Sequence, residues 1–187
     1  MFTGIIEKTS EVTSVSKEKS GLRVRIVKPM GWKMKLGESV AVDGVCSTVA
    51  ALGAKYFEVE YMPETLKKTT VSFFKRGAAV NLELPLTLRD VVGGHFIQGH
   101  VDATGDVLEV KKSGNSVIMK IGLPERCRRF VAKKGSICVN GVSLTVAAAS
   151  GNQFSVSLVS HTLEHTNLRS LKKGDKVNLE VDIIARY

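Results

Sequence analysis

The feature that most constrains this chain is a phrase that occurs in it twice. Residues 42–51 read VDGVCSTVAA and residues 139–148 read VNGVSLTVAA, a displacement of 97 positions. At the same displacement the copies match onward without a gap, through VNLE at 80–83 and 177–180. This period exceeds the roughly 20–50 residues of solenoid and propeller repeats and has the size of a domain. The sequence therefore predicts two copies of one domain, at residues 1–90 and 91–187.

The beginnings of the copies also match, at a slightly smaller displacement. FTGIIEKTSEV at 2–12 corresponds to IQGHVDATGDV at 97–107. Both contain a Gly, a Thr five residues later, and then an acidic residue followed by Val. We call residues 2–6 and 97–101 the leading segments of the two copies.

Each copy contains six short runs rich in Val, Ile, Thr and Ser, several of which alternate apolar and polar residues. DG at 43–44 and NG at 140–141 predict hairpin turns at matching places. PMGWKMKL and PERCRRFVAKK each begin with Pro and predict one short helix per copy. Six strands in a unit this small indicate a closed barrel. The predicted fold class is all-β, with two tandem, duplicated six-stranded Greek-key barrels and short helices.

Composition argues against several classes of protein. No stretch approaches the roughly 18 apolar residues of a membrane span, and no basic region followed by an apolar run opens the chain. The three cysteines form no Cys-x-x-Cys pair, which is typical of a reduced protein. We therefore expect a cytoplasmic protein with no membrane partner. The net charge of +9 comes from short basic groups without interleaved aromatic residues, which favours solvated surface charge over nucleic-acid binding.

The segment GGHFIQGHVDATG, residues 93–105, is the densest cluster of residues with chemical potential. Its glycines and its two histidines, His95 and His100, are unusual in a plain buried strand. One interpretation is a ligand site, and another is a hinge between domains with surface histidines. A metal site is a third, although no carboxylate or cysteine stands at ligand spacing beside the histidines.

Cys46 and Ser143 occupy one position of the repeat, and each stands two residues before a Thr. Residues i and i+2 of a strand face the same side, so each barrel would present a nucleophilic group and a hydroxyl together. A buried cysteine and a solvated Ser–Thr pair are the structural alternatives. Retention of the phrase in both copies favours two related binding sites, and hence two similar ligands. ETLKKT at 64–69 and HTLEHT at 161–166 predict either a capped helical turn or a loop lining the same pocket.

The motifs MFTGI, GVCSTV, ETLKKT, GGHFIQGHVDATG, NGVSLTV, HTLEHTNL and VNLE together resemble riboflavin synthase of the alpha-chain type, over essentially all 187 residues. The resemblance implies that each barrel binds one 6,7-dimethyl-8-ribityllumazine, and that a four-carbon unit passes from one molecule to the other. The products would be riboflavin and 5-amino-6-ribitylaminouracil, with no cofactor and no metal. It also implies a homotrimer whose active site forms between the N-terminal barrel of one subunit and the C-terminal barrel of the next.

The resemblance also implies the site residues. The N-barrel pocket would comprise Phe2, Gly4, Ile5, Ile6, Cys46, Ser47, Thr48, Met62, Glu64 and Thr65. The C-barrel pocket would comprise Gly99, His100, Val101, Lys134, Ser143, Leu144, Thr145, His161, Thr162 and Leu163, with Asp182 nearby. Cys46, His100 and Ser143 would be the catalytic candidates, as acceptors of the first proton.

The chain departs from the family pattern in three places. Ser47 stands where the family usually has Leu, and Ser160 stands where it usually has Pro. The sequence ends at Tyr187, where family members continue with a helix that gathers the trimer. We therefore expect the trimer to be weakened or absent if that helix is missing. A non-catalytic lumazine or flavin carrier on the same fold is the alternative function.

Overall fold

Strands form two closed six-stranded barrels in the structure, a computed structural model that describes residues 1–187. The first barrel contains β1 (Lys8–Glu18), β2 (Gly21–Val27), β3 (Ser39–Val42), β4 (Val45–Leu52), β5 (Tyr56–Tyr61) and β6 (Ala79–Glu83). The second contains β7 (Ala103–Ser113), β8 (Ser116–Gly122), β9 (Ser136–Val139), β10 (Val142–Ser150), β11 (Gln153–Val159) and β12 (Lys176–Val181). Every strand pairing is antiparallel. The predicted fold class is confirmed.

The neighbour order is the same in both barrels. The first closes as β1-β2-β5-β4-β3-β6, and the second repeats this order with every label raised by six. In the first barrel β2 pairs with β5 and β3 pairs with β6, although these strands are not consecutive in the chain. These pairings, repeated in the second barrel, make each barrel a Greek key. The predicted boundary at residues 90 and 91 falls between β6 and β7, and no strand crosses it.

The hairpin turns predicted from DG and NG are present. Asp43 and Gly44 have φ of 47° and 76°, and Asn140 and Gly141 have φ of 47° and 82°. Positive φ at both central residues is the type I′ turn, which matches the twist of antiparallel strands. The turns join β3 to β4 and β9 to β10.

The helices are short. They are α1 (Pro63–Lys68), α2 (Ser160–His165) and α3 (Ile183–Arg186), with 3₁₀ helices at Thr70–Phe73, Glu125–Phe130 and Asn167–Ser170. The predicted helix at PMGWKMKL is wrong. Two separate turns form there instead, with the Trp32 N–H bonded to the Pro29 carbonyl and the Glu38 N–H bonded to the Lys35 carbonyl, both at 3.2 Å. The helix does not form because Gly31 enters the left-handed region at φ 84°. The matching segment in the second copy forms the 3₁₀ helix Glu125–Phe130, which is shorter than predicted.

Each barrel encloses its own apolar core because alternate strand residues point inward. Val24 and Ile26 of β2 are fully buried, as are Met119 and Ile121 of β8. None of the helices has the length and hydropathy needed to cross a lipid bilayer.

Amides of the VNLE motif join the two barrels. The Asn81 side-chain amide donates to the Asn140 carbonyl at 2.8 Å, and the Asn178 amide donates to the Asp43 carbonyl at 2.8 Å. The side-chain oxygens of Asn81 and Asn178 accept from the backbone N–H groups of Asn167 and of residue 70, both at 2.7 Å. Each contact made by one copy has its counterpart at the matching position of the other copy. The barrels are therefore related by a pseudo-two-fold axis.

One member of this network is a carboxyl. Asp43 Oδ1 accepts from the Asn81 N–H at 2.8 Å and from Asn167 Nδ2 at 2.9 Å. Burial raises the pKa of Asp43 from 3.8 to about 7, although these two hydrogen bonds oppose the shift. Between those values the folded protein holds a proton that the unfolded chain has lost. The free energy of unfolding therefore falls as pH rises through that window.

Asp43→Asn should remove this cost, because asparagine keeps the Oδ1 acceptor and does not ionise. We expect the variant to gain stability over the wild type between pH 4 and 7, reaching roughly 1–4 kcal/mol above pH 7. Urea unfolding across pH 4–8 measures the difference. Some pH dependence should remain, because burial also raises the pKa values of Glu83 and Glu180.

Asn140→Asp, at the matching position of the second copy, is the opposite change and should steepen the loss of stability with pH. An Asp43→Asn variant whose stability followed pH as the wild type does would contradict the assignment.

Candidate functional site

The leading segments of the two copies pair with each other on the pseudo-two-fold axis. The Phe2 N–H donates to the Ile97 carbonyl at 2.7 Å, and the Ile97 N–H donates to the Phe2 carbonyl at 3.1 Å. Phe2 and Ile97 are fully buried with Ala41 and Cys138 in a small apolar cluster between the barrels. Phe2, a predicted site residue, is thus part of the interior.

Each leading segment then bonds to the barrel of the other copy. The Ser143 N–H donates to the Gly4 carbonyl at 2.9 Å, and the Cys46 N–H donates to the Gly99 carbonyl at 2.9 Å. Farther along, Ile6 packs against the core of the second barrel and Val101 against that of the first.

The predicted division of site residues between the barrels is therefore wrong for the leading segments. Gly4, Ile5 and Ile6 belong with Ser143, and Gly99, His100 and Val101 belong with Cys46. Proximity in sequence suggested the reverse, because a segment that opens a copy was expected to stay with that copy. We call the first group, around Ser143, the C-barrel half-site and the second, around Cys46, the N-barrel half-site.

The carboxylates of the VNLE motif hold the leading segments in place. Glu83 accepts from the backbone N–H groups of Thr3 and Gly4, at 2.6 and 3.0 Å. Glu180 accepts from those of residues 98 and 99, at 2.7 and 2.9 Å. Burial raises the pKa of Glu180 to about 7, against these hydrogen bonds. The last residue of VNLE thus positions the backbone of both half-sites.

The C-barrel half-site contains a serine–histidine pair. His95 Nδ1 lies 2.7 Å from Ser143 Oγ. Burial lowers the pKa of His95, and the negative charge of Asp182 partly offsets this effect, so the surroundings favour the neutral imidazole. Its Nε2 atom is buried and has no hydrogen-bond partner, which is unfavourable in a purely structural residue.

Both histidines of the GGHFIQGHVDATG segment were candidates for a ligand site, but the site residues implied by the resemblance included only His100. The His100 side chain is exposed and makes no hydrogen bond to the Cys46 thiol. The glycine before His95 was the signal in the sequence that could have identified it. Gly94 has no side chain, and Ser143 occupies the space that a side chain there would fill. A Cβ on Gly94 would lie 2.8 Å from Ser143 Oγ.

The N-barrel half-site has a different character. Cys46 is a free, half-buried cysteine, and Thr48, two residues on, is exposed. Ser47 faces the interior, where its hydroxyl is 2.9 Å from the Tyr61 hydroxyl and donates to the Val45 carbonyl. Ser47 therefore contributes to packing, and its counterpart Leu144 is likewise buried in the core of the second barrel.

The shared Thr-Leu-x-x-Thr sequences form capped helical turns. The hydroxyls of Thr69 and Thr166 donate to the carbonyls of Thr65 and Thr162 four residues back, at 2.8 and 2.6 Å. The same hydroxyls accept the N–H two residues on, which caps the following 3₁₀ helices. The second threonine of each motif is the cap, while the first lies in α1 or α2.

The remaining predicted site residues lie around the half-sites. Leu163 of α2 packs on the core of the second barrel, and the exposed His161 and Thr145 lie on α2 and β10 of that barrel. Met62 precedes α1 and is 60% exposed, and Glu64 forms an exposed ion pair with Lys68. Lys134 precedes β9, with its N–H bonded to the Val146 carbonyl, in a left-handed conformation at φ 70°. Asp182 caps α3 through the Ile184 N–H at 3.0 Å.

Several residues of the half-sites are exposed to solvent, among them Thr48, His100, Thr145 and His161. A groove of about 530 Å³ between the barrels is lined by Asp43, Asn140 and Phe74 among others, and contains none of the predicted site residues. A groove of about 500 Å³ beside the connection from β6 to β7 contains only Ile5 of that set. The half-sites are open faces that a ligand or a second protein surface would cover.

Comparison with known proteins matches the duplicated architecture. A family model described as the lumazine binding domain matches residues 3–85 and again residues 98–182. The riboflavin synthase of Brucella abortus (strain 2308) is 42% identical over 193 residues, covering 100% of this chain and 96% of that protein. The riboflavin synthase of Photobacterium phosphoreum is 38% identical over 190 residues, covering 100% of this chain and 87% of that protein.

A solved structure shares the fold. The crystal structure of LumP complexed with riboflavin has a TM-score of 0.90 and 22% sequence identity, and the match covers 97% of this chain and 99% of that chain. At this identity the likeness concerns the backbone arrangement of the two barrels.

Gly99→Ala tests the close contact between a leading segment and the opposite barrel. The added Cβ would lie 2.6–2.9 Å from backbone and Cβ atoms of Cys46, at φ +78°. We expect a loss of about 3 kcal/mol or more in the free energy of unfolding, because the neighbour is backbone and cannot turn away.

Gly77→Ala is the matched control for that measurement. Gly77 has φ +85° with nothing within 4 Å of the added Cβ, so it isolates the strain of positive φ, about 1–2 kcal/mol. Equal losses in the two variants, measured by urea unfolding, would contradict the proposed contact.

Proposed function

The chain belongs to the riboflavin synthase family, and from this we propose that it catalyses the dismutation of two 6,7-dimethyl-8-ribityllumazine molecules. One molecule transfers a four-carbon unit to the other, giving riboflavin and 5-amino-6-ribitylaminouracil. The observation that carries the proposal is the pair of half-sites made by the duplication, each formed from a leading segment and the opposite barrel. Two related half-sites suit two identical substrates.

The first chemical step is removal of a proton from the acidic 7-methyl group of one lumazine. We propose that the Ser143–His95 pair accepts it: Ser143 Oγ takes the methyl proton while its own proton passes to His95 Nδ1, 2.7 Å away. Burial favours the neutral His95, which is able to accept, and the charge of Asp182 stabilises the imidazolium that forms. On this assignment the lumazine at the C-barrel half-site is the molecule that is deprotonated.

The N-barrel half-site would hold the other lumazine. Cys46 and the exposed Thr48 lie on one face of β4, and the backbone of Gly99–Val101 borders them. Holding two rings in reactive contact can account for roughly 7–11 kcal/mol of rate acceleration. Hydroxyl and backbone groups of both half-sites would bind the pyrimidine carbonyls and the ribityl chains.

On one chain the two half-sites are separated by the two leading segments, and this separation favours a reaction centre formed between chains. The order across the axis is β10, the first leading segment, the second leading segment and β4. Each of these is hydrogen-bonded to the next. Three strand spacings amount to about 14 Å. Reacting atoms must approach to about 3–3.5 Å. We therefore propose that the C-barrel half-site of one chain faces the N-barrel half-site of another.

Apolar side chains at the half-sites support such a contact. Ile5, Met62 and Val159 are 51%, 60% and 57% exposed, respectively, and a neighbouring chain would cover them. A contact between unlike surfaces closes only as a ring, and the family resemblance implies a ring of three. The chain is thus proposed to act as a homotrimer. The alternative of a non-catalytic carrier has less support, because the relatives at 38% and 42% identity are riboflavin synthases by name.

The decisive experiment is incubation of the protein with 6,7-dimethyl-8-ribityllumazine while riboflavin absorbance and protein mass by light scattering are followed. We expect one riboflavin for every two lumazines consumed, and specific activity that rises with the fraction of trimer. Tight binding to a monomer without product would instead indicate a carrier.

His95→Gln tests the proposed base. The variant should lower kcat by about 10²–10⁴-fold, the usual contribution of a general base, while circular dichroism and thermal unfolding stay close to the wild type. Cys46→Ser, in the half-site without an imidazole partner, should lower turnover less. A kcat for His95→Gln equal to that of the wild type would exclude His95 as the base.

The pH profile separates a base from a structural residue. Asp182→Asn keeps the cap of α3 but removes the charge that raises the pKa of His95. The acidic limb of the kcat–pH profile should therefore move to lower pH in this variant. An unmoved limb would exclude titration of His95 as its origin.

A further inference from the structure

Helix α2 carries two histidines that the proposed reaction does not use together. His161 and His165 are one helical turn apart, so they lie on the same face. Their ring centroids are 4.1 Å apart with 28° between the ring planes, and both side chains are exposed. The first copy has Glu64 and Lys68 at these positions, joined by an ion pair of 2.8 Å. The two copies thus differ by an ion pair in one and a pair of imidazoles in the other.

The hydrogen bonding of His165 determines which ring nitrogen is free. Its Nδ1 lies 2.9 Å from the carbonyl oxygen of His161. A carbonyl oxygen can only accept, so Nδ1 carries the hydrogen and the lone pair of the neutral ring is on Nε2. A backbone carbonyl bonded to one nitrogen, with the other nitrogen unprotonated, is the usual state of a histidine that binds a metal.

We propose that His161 and His165 together bind a divalent transition-metal ion, with water completing its coordination. Imidazole suits Zn²⁺, Cu²⁺ and Ni²⁺, and two histidines at i and i+4 present two such ligands from one helix face. No third His, Cys, Asp or Glu completes a cluster of protein ligands anywhere in the chain. The site is therefore open and weaker than a closed structural zinc site, and it binds Cu²⁺ more tightly than Zn²⁺.

The position of the ion follows from the helix. Thr162 and Leu163 lie between the two histidines, and Leu163 packs on the core of the second barrel. The ion thus sits on the outer face of α2, beside the C-barrel half-site. The inference is argued from the geometry of α2, although His161 is also one of the predicted residues of the C-barrel half-site.

Calorimetric titration of the untagged full-length protein with CuCl₂, and separately with ZnCl₂, at pH 7.4 tests the site. We expect one ion per chain, with Cu²⁺ bound more tightly than Zn²⁺. His161→Asn and His165→Asn should each weaken binding by at least about tenfold, since each removes one of the two protein ligands.

The chain itself supplies the matched control. The double variant His161→Glu/His165→Lys installs the residues of α1 in α2, and should abolish binding while leaving the circular dichroism and thermal unfolding of the wild type intact. His100→Asn, which removes an exposed histidine elsewhere, should leave binding unchanged. No Cu²⁺ binding to the wild type, or wild-type affinity in the double variant, would overturn the proposal.

Discussion

Hydrogen bonds between buried polar groups hold the two barrels in one arrangement, and the rest of the structure depends on them. Asn81 and Asn178 each reach across the axis, while Glu83 and Glu180 bind the backbone of the leading segments. A buried amide or carboxylate without partners is costly, so packings of the barrels that leave these groups unpaired are strongly disfavoured. An apolar interface of the same size would tolerate several relative orientations. The polar network therefore specifies the geometry, and that geometry determines where Ser143 and Cys46 lie.

Exchange of the leading segments makes each half-site a product of both copies. The Gly4 carbonyl is bonded to the second barrel and the Gly99 carbonyl to the first. Neither barrel alone would contain a complete half-site, which gives a physical reason for the two copies to remain in one chain. It also explains why glycine stands at both positions, since a Cβ at either would lie within 3 Å of the opposite strand.

Duplication produced two like frameworks, and single substitutions then made them different. Ser143 has an imidazole partner, whereas Cys46 has none. Asp43 brings a titrating carboxyl into an interface where its counterpart Asn140 is neutral. These differences lie at matching positions of a shared backbone, so each changes local chemistry without changing the fold. A reaction between two identical molecules in unlike roles needs that combination of common shape and distinct chemistry.

The sequence by itself determined the duplication, the six strands of each copy, the paired type I′ turns and the positions of Cys46 and Ser143. These features rest on local patterns: alternation along a strand, Asp-Gly and Asn-Gly pairs, and identity at a constant displacement. The helix expected at residues 29–36 failed because Gly31 adopts positive φ, a local choice that the pattern did not reveal. Only the tertiary structure decided that the leading segments cross to the opposite barrel, that His95 rather than His100 meets the serine, and that the VNLE amides join the barrels. Those contacts link residues as far apart as Gly4 and Ser143. They follow from satisfying buried polar groups across an interface, and no periodicity along one stretch of chain records that requirement.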